Sequence, residues 1–173
     1  MCVCVTYSEV KLEIQQQLKR KSIVPVLGSG FTRGCPSQGG EVPSGDDYKN
    51  YMIDCILKER GLDESKRTDY EKKQFSKIST IYHKLIPKEK QRKYLRKNFT
   101  RVELPEDKRK FLAINWPYVY TLNTDDAIEK NSRYSTVVSS NRKIWNDVFE
   151  TEKCTIKLHG HIDDILTYRL FFM

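Results

Sequence analysis

The run Ile23-Val24-Pro25-Val26-Leu27-Gly28-Ser29-Gly30-Phe31-Thr32-Arg33 changes character halfway along. An apolar, strand-like stretch stops at Gly-Ser-Gly, and a polar loop comes next. Glycine has no Cβ, so it tolerates unusual backbone angles and lets a second backbone or a phosphate come close. Successive backbone N–H groups in such a turn can face an anionic pyrophosphate. The dinucleotide fingerprint G-x-G-x-x-G is not complete here, because Arg33 stands at its third glycine and Gly34 comes one place late. Pro25 interrupts the apolar run and cannot donate to a sheet ladder. The same residues also describe a plain tight turn after a strand.

Upstream, Thr6-Tyr7-Ser8-Glu9 fits a capping box. Val10, Ile14 and Leu18 then recur every four residues and predict a helix to about Arg20, with Lys19, Arg20 and Lys21 suited to its C-terminal end. Downstream, eight of the twelve residues 34–45 are Gly, Pro or Ser, which predicts a loop that either covers a ligand or merely connects. Asp46 or Asp47 is the expected cap of the next helix, whose apolar positions are Tyr48, Tyr51, Met52, Cys55 and Ile56 and whose stop is Gly61. One helix is predicted over residues 68–85, bearing Phe75, Ile78, Ile81, Tyr82 and Leu85. Pro87 breaks it. A short basic helix over 88–98 and another from Pro105, with Phe111, Leu112 and Ile114 as its apolar face, precede Pro117.

Strands are expected at 23–27, 118–122 and 154–158, with a short one at Val137-Val138 and a helix over about 126–130. Strands separated by helices predict an α/β fold: a Rossmann-like parallel sheet with helices on both faces and a helical, basic insertion over about 46–115. The whole of 1–173 reads as a single domain.

Composition limits the function classes. No apolar run approaches the roughly 20 residues needed to span a bilayer, and Met1-Cys2-Val3-Cys4-Val5 is too short for a secretory core, so a cytoplasmic protein without membrane contact is expected. Cys2, Cys4, Cys35, Cys55 and Cys154 are odd in number and contain no Cys-x-x-Cys pair, which argues against a disulfide framework and a zinc ribbon. Residues 58–110 carry 18 Lys or Arg against 9 Asp or Glu, so this segment supplies the whole net charge of +8. It is either a surface for nucleic acid or an acidic partner, or a solvated helical face.

Chemistry in open α/β sheets collects beyond the carboxyl ends of the strands. Three strands here end in Gly28-Ser29-Gly30, Asn123-Thr124-Asp125 and His159-Gly160. Each set has an ordinary reading. Asn123 suits a turn or an N-cap, Asp125 and Asp126 suit a helix start, and His159 suits a turn, with His161 as its close competitor. His159 and His161 can also pair as metal ligands with Asp163 and Asp164.

Taken in order, Gly-Ser-Gly, Thr121-Leu122-Asn123-Thr124-Asp125 and Lys157-Leu158-His159-Gly160 resemble the sirtuin-like domain. The likeness is narrower to the bacterial branch found at the front of many phage-defence proteins, whose Pro-Ser-Gly loop is matched by Pro43-Ser44-Gly45. It covers about residues 20–165, the basic middle matching only in helical character. The resemblance implies that NAD is the substrate and that its nicotinamide–ribose bond is cleaved, in anti-phage defence by NAD depletion. It implies catalytic roles for Asn123 and His159, a hold on the nicotinamide end for Asp125, and a pyrophosphate turn at Gly28, Ser29 and Gly30. Thr32 joins these as a binding candidate that either contacts phosphate or caps the next segment.

The residue types suit that chemistry. The leaving pyridinium departs neutral and its positive charge passes to the ribose, as in glycoside cleavage. Asn123 can donate and accept, so it can order a water or a ribose hydroxyl. His159 is of the residue type suited to general-base work near neutral pH. Two departures qualify the likeness. The four-cysteine zinc ribbon of sirtuin deacylases is missing, so water rather than acetyl-lysine is the expected acceptor and no zinc is expected. The chain also stops soon after His159, so the C-terminal part of the Rossmann core is expected to be absent and the pocket incomplete. A homo-oligomer or a downstream sensor domain would be its partner. The alternatives are a non-catalytic module that binds nucleotide or nucleic acid through the basic helices of 58–110, and an inactive remnant.

Overall fold

The computed structural model describes residues 6–138 and 153–162. In chain order the elements are α1 (Tyr7–Lys19), β1 (Val26–Leu27), the short hairpin β2 (Pro36–Ser37) and β3 (Gly40–Glu41), and α2 (Gly45–Arg60). Then come α3 (Arg67–Glu71), α4 (Phe75–Leu85), α5 (Lys88–Phe99) and α6 (Glu106–Ala113). Last are β4 (Tyr118–Thr121), α7 (Ala127–Asn131), β5 (Ser135–Val138) and β6 (Cys154–Lys157). The architecture is mixed α/β.

The sheet is parallel, in the order β1-β4-β6-β5. Its register sets the level of every strand end. Leu27 pairs with Thr121, Thr121 with Lys157, and Lys157 with Val138. The residues just past β1, β4 and β6 therefore leave one edge of the sheet together. β6 lies between two neighbours, and Cys154, Thr155, Ile156 and Lys157 are all buried, as a central parallel strand requires. β1 is shorter than the expected 23–27. Pro25 stays outside the ladder as a donor, while its carbonyl accepts the Tyr120 N–H at 2.9 Å.

Among the described residues two large apolar cores form, beside a small cluster of Cys154 and Ile156 with Tyr118 and Tyr120. One joins α2, α4 and α5 through Met52, Ile53, Ile56, Ile78, Tyr82 and Leu95. The other lies against the sheet and gathers Leu27, Val42, Val102, Leu112, Trp116, Val119 and Ile128. Most of the basic stretch thus builds a helical layer with its own interior, while α6 packs with the sheet.

Several expectations need correction. Residues 34–45 are not a featureless loop. The β2–β3 hairpin occupies their middle, with Gly40 at φ 142, where a side chain would be strained. Hydrogen bonds from Gln38 N to Thr100 O and from Glu103 N to Pro36 O tie it to the segment after α5. Ser44, not Asp46 or Asp47, caps α2. Its Oγ accepts the Asp47 N–H at 3.1 Å, and the Asp47 carboxylate returns to Ser44 N at 2.9 Å. The predicted helix 68–85 is two helices. Tyr70 and Phe75 stand five apart, which places them on different sides of a continuous helix, and the break at 72–74 lets both turn inward. Ile114 lies past the end of α6 and is 38% exposed, so it is not part of that helix's apolar face. The Thr6–Glu9 capping box and the left-handed stop at Gly61 are as expected.

The reciprocal cap gives a direct stability test. Ser44→Ala removes the acceptor for Asp47 N and is expected to lower unfolding stability by about 1 kcal/mol, read as a lower urea midpoint with an unchanged slope.

Candidate functional site

β4 ends at Thr121, and its side chain begins the site. Thr121 Oγ1 donates to Leu27 O at 3.2 Å and accepts the Asn123 backbone N–H at 3.0 Å. One hydroxyl therefore ties the end of β1 to the turn after β4. Two residues further on the link is repeated with side chains. Asn123 Nδ2 donates to Thr32 Oγ1 at 3.0 Å, and Thr32 Oγ1 donates to Asp125 Oδ2 at 2.8 Å. Asp125 Oδ1 accepts the N–H of Ala127 at 3.1 Å, at the start of α7. Thr32, Asn123 and Asp125 are only 1%, 8% and 4% exposed.

Lys157 closes this arrangement from β6. Its Nζ, on a side chain 1% exposed, donates to the carbonyls of Thr124 and Asp125 and pairs with Glu129 Oε1 at 3.0 Å. Glu129 also lies 3.7 Å from His161 Nε2. A buried ammonium thus holds the backbone of the Asn123–Asp125 turn. Burial raises the pKa of the Asp125 carboxyl, and the nearby Glu129 charge adds to the rise. Lys157, the Thr32 hydroxyl and the Ala127 N–H oppose it.

These groups open onto a cavity of about 340 Å³. Ser29 and Thr32 line it from the turn after β1, and Val42, Pro43, Ser44 and Gly45 from the segment leading into α2. Leu122, Asn123, Thr124 and Asp125 come from the end of β4, and His159 from the end of β6. The wall contributed by the helical layer is Tyr48, Phe75, Leu95 and Phe99. The Tyr48 ring stacks on Tyr94 at 5.2 Å and meets Phe75 and Phe99 edge-on. Its hydroxyl is buried with no hydrogen-bond partner among the described residues. Burial raises the pKa of Tyr48 and pushes that of Tyr94 up to about 12, so both keep their protons. Apolar aromatic rings, an amide, a carboxyl and an exposed imidazole thus line one cavity, the mix of apolar wall and few polar groups found in small-molecule sites.

The sequence candidates divide. Ser29, Thr32, Asn123, Asp125 and His159 meet at one cavity. His161 does not line it and faces Glu129 instead. Gly28 and Gly30 do not line it either, and neither has a positive φ, so the glycine turn does not exploit left-handed geometry at these positions. A Cβ on either would meet nothing within 4 Å, which leaves their backbone open to approach. Arg33 lines an adjoining hollow with Glu41 and Asp47. Asp163 and Asp164, weighed as metal partners of the two histidines, lie outside the described residues, as does the stretch 165–173. Among the described residues no cluster of three or more His, Cys, Asp or Glu is placed to hold a metal, and no helix is long and apolar enough to cross a membrane.

Sequence reasoning missed Lys157 and the aromatic wall as parts of the site. A lysine ending an apolar strand was a usable signal, since a charge at a central strand terminus is buried only with partners. Tyr48 and Phe75 carried no such signal, because core and cavity aromatics share the same helical spacing. No protein-family model matches the chain, and no curated protein is significantly similar to it.

The buried lysine is testable by itself. Lys157→Met keeps the length but takes the ammonium away from Glu129 and two carbonyls. It is expected to cost about 3 kcal/mol of stability in chemical denaturation.

Proposed function

We propose that this chain is a Rossmann-like domain that binds NAD and hydrolyses the bond between nicotinamide and ribose. The observation that carries the reading is convergence. Ser29 with Thr32, Asn123 with Asp125, and His159 come from three distant parts of the chain and line one cavity. Its volume of about 340 Å³ falls in the ordinary range of small-molecule sites. The ordered motifs and their likeness to the sirtuin-like branch of phage-defence proteins support the same reading, and with it a role in defence by NAD depletion.

The residues take distinct parts. The carboxamide-bearing ring lies against the aromatic wall with its polar edge toward Asp125. As the glycosidic bond lengthens, charge develops on the ribose, and nicotinamide leaves as a neutral amide. Asn123 orients the ribose hydroxyl or the attacking water. His159, exposed at the rim where water enters, removes the proton from that water. The nucleophilic oxygen bonds to the anomeric carbon as the ring nitrogen keeps the electron pair of the broken bond. The products are nicotinamide, ADP-ribose and one proton. The helices of 58–110, which carry the basic excess, also supply Phe75, Leu95 and Phe99 to the cavity, which gives them a role without nucleic acid.

Nicotinamide release from NAD tests the proposal. Asn123→Ala and His159→Ala are each expected to slow it at least about 100-fold with the fold retained. Release at the unaltered rate in either variant contradicts that residue's role, and the same result in both contradicts the proposal.

A further inference from the structure

The buried chain Asn123–Thr32–Asp125 has a direction. An ionised carboxylate can only accept hydrogen bonds, and a hydroxyl has a single hydrogen to give. With Asp125 ionised, Thr32 must spend that hydrogen on Asp125 Oδ2, so its oxygen is left to accept from Asn123. The Asn123 amide must then turn its nitrogen toward Thr32. Its Oδ1, which makes no hydrogen bond among the described residues, is the end left for the contents of the cavity. The orientation of an amide is set by its hydrogen-bond network, and here the network leaves one choice.

We infer that Thr32 is a positioning residue that reads the protonation state of Asp125 and thereby sets which end of the Asn123 amide faces the cavity. The inference rests on the NAD-cleavage reading only for its consequence in turnover. A protonated Asp125 donates its new hydrogen to Thr32 Oγ1. The Thr32 hydrogen then needs another acceptor, and the one within reach is the amide oxygen of Asn123, which must flip to receive it. The flipped residue offers a donor to the cavity where it had offered an acceptor. A ribose hydroxyl or a water can no longer give it a hydrogen bond.

The surroundings of Asp125 suit such a relay. From α7 it meets the Ala127 N–H and the Glu129 charge, and from β6 the Lys157 ammonium, which bonds the Thr124 and Asp125 carbonyls rather than the Asp125 carboxylate. Glu129 is itself shared between Lys157 and His161. From the turn after β1 the uncharged Thr32 hydroxyl bonds it. The carboxyl oxygen bonded to Thr32 thus has no direct cation contact among the described residues, and its burial favours the protonated form.

Three variants separate the relay from simple packing. Thr32→Ser keeps the hydroxyl and Thr32→Val removes it at constant shape. Asp125→Asn fixes the reversed direction, because Ala127 N needs the new amide oxygen and the new amide nitrogen must then donate to Thr32. In NMR spectra at neutral pH the Asn123 side-chain NH2 is expected to exchange slowly with solvent in the unaltered chain and in Thr32→Ser. It is expected to exchange about ten-fold faster in Thr32→Val and Asp125→Asn. In Thr32→Val and Asp125→Asn nicotinamide release should be about ten-fold slower than in the unaltered chain. Slow NH2 exchange in Thr32→Val or Asp125→Asn overturns the relay. Failure of the unaltered chain to release nicotinamide counts against the glycohydrolase reading alone, because the exchange measurement still decides the relay.

Discussion

Thr32 Oγ1 sits between Asn123 Nδ2 and Asp125 Oδ2, and this bridge joins parts of the chain about ninety residues apart. Without it, the turn after β1 and the turn after β4 would be neighbours by register only. With it, three polar side chains are held in a nearly dry place, Thr32 bonding both Asn123 and Asp125. A half-satisfied network of this kind would be worse than an apolar one, since a buried donor or acceptor without a partner costs about 1–3 kcal/mol. The arrangement is therefore cooperative. Thr121 repeats it one layer closer to the sheet, bonding both Leu27 O and Asn123 N.

The parallel register makes the bridge reachable. Leu27, Thr121 and Lys157 stand level, so their successors emerge at one edge. Lys157 then converts proximity into fixed position. A central strand that ends in a lysine must find that charge a partner, and Glu129 and two turn carbonyls supply it. The helical layer completes the cavity from the other side. The interior that packs α2 against α4 and α5 also aims Tyr48, Phe75 and Phe99 at the polar turn. Fold stability and the shape of the cavity thus depend on the same aromatic contacts.

Much of this was legible in the residues. The Thr6–Glu9 box, the Gly61 stop, the strand near 118 and the strand near 154 obey local rules that the rest of the chain does not override. The meeting of Ser29, Asn123 and His159 was legible only as order along the chain, because parallel register is a long-range property. Other features were hidden by competing physics. Gly, Pro and Ser over 34–45 signal a loop, yet the same residues make a hairpin once residues 100–103 offer backbone partners. Ser44 and Asp47 both qualify as caps, and their reciprocal bonding assigns the cap position to Ser44. The split between α3 and α4 depends on Tyr70 and Phe75 both reaching an interior that only tertiary packing creates. The hydroxyl of Thr32 gave no sign of its partners, since neither lies within ninety residues of it.

If the turns after β1, β4 and β6 share a single ligand cleft, one bound ligand must perturb all three. Titrating NAD into the 15N-labelled His159→Ala variant and following backbone amide shifts measures this most directly. Ser29, Thr32, Asn123 and Asp125 are expected to shift together along one binding curve, with Tyr48 moving in step from the opposite wall. Shifts confined to the basic helices away from Tyr48 and Phe75, or no saturable shift at any of these positions, would contradict it.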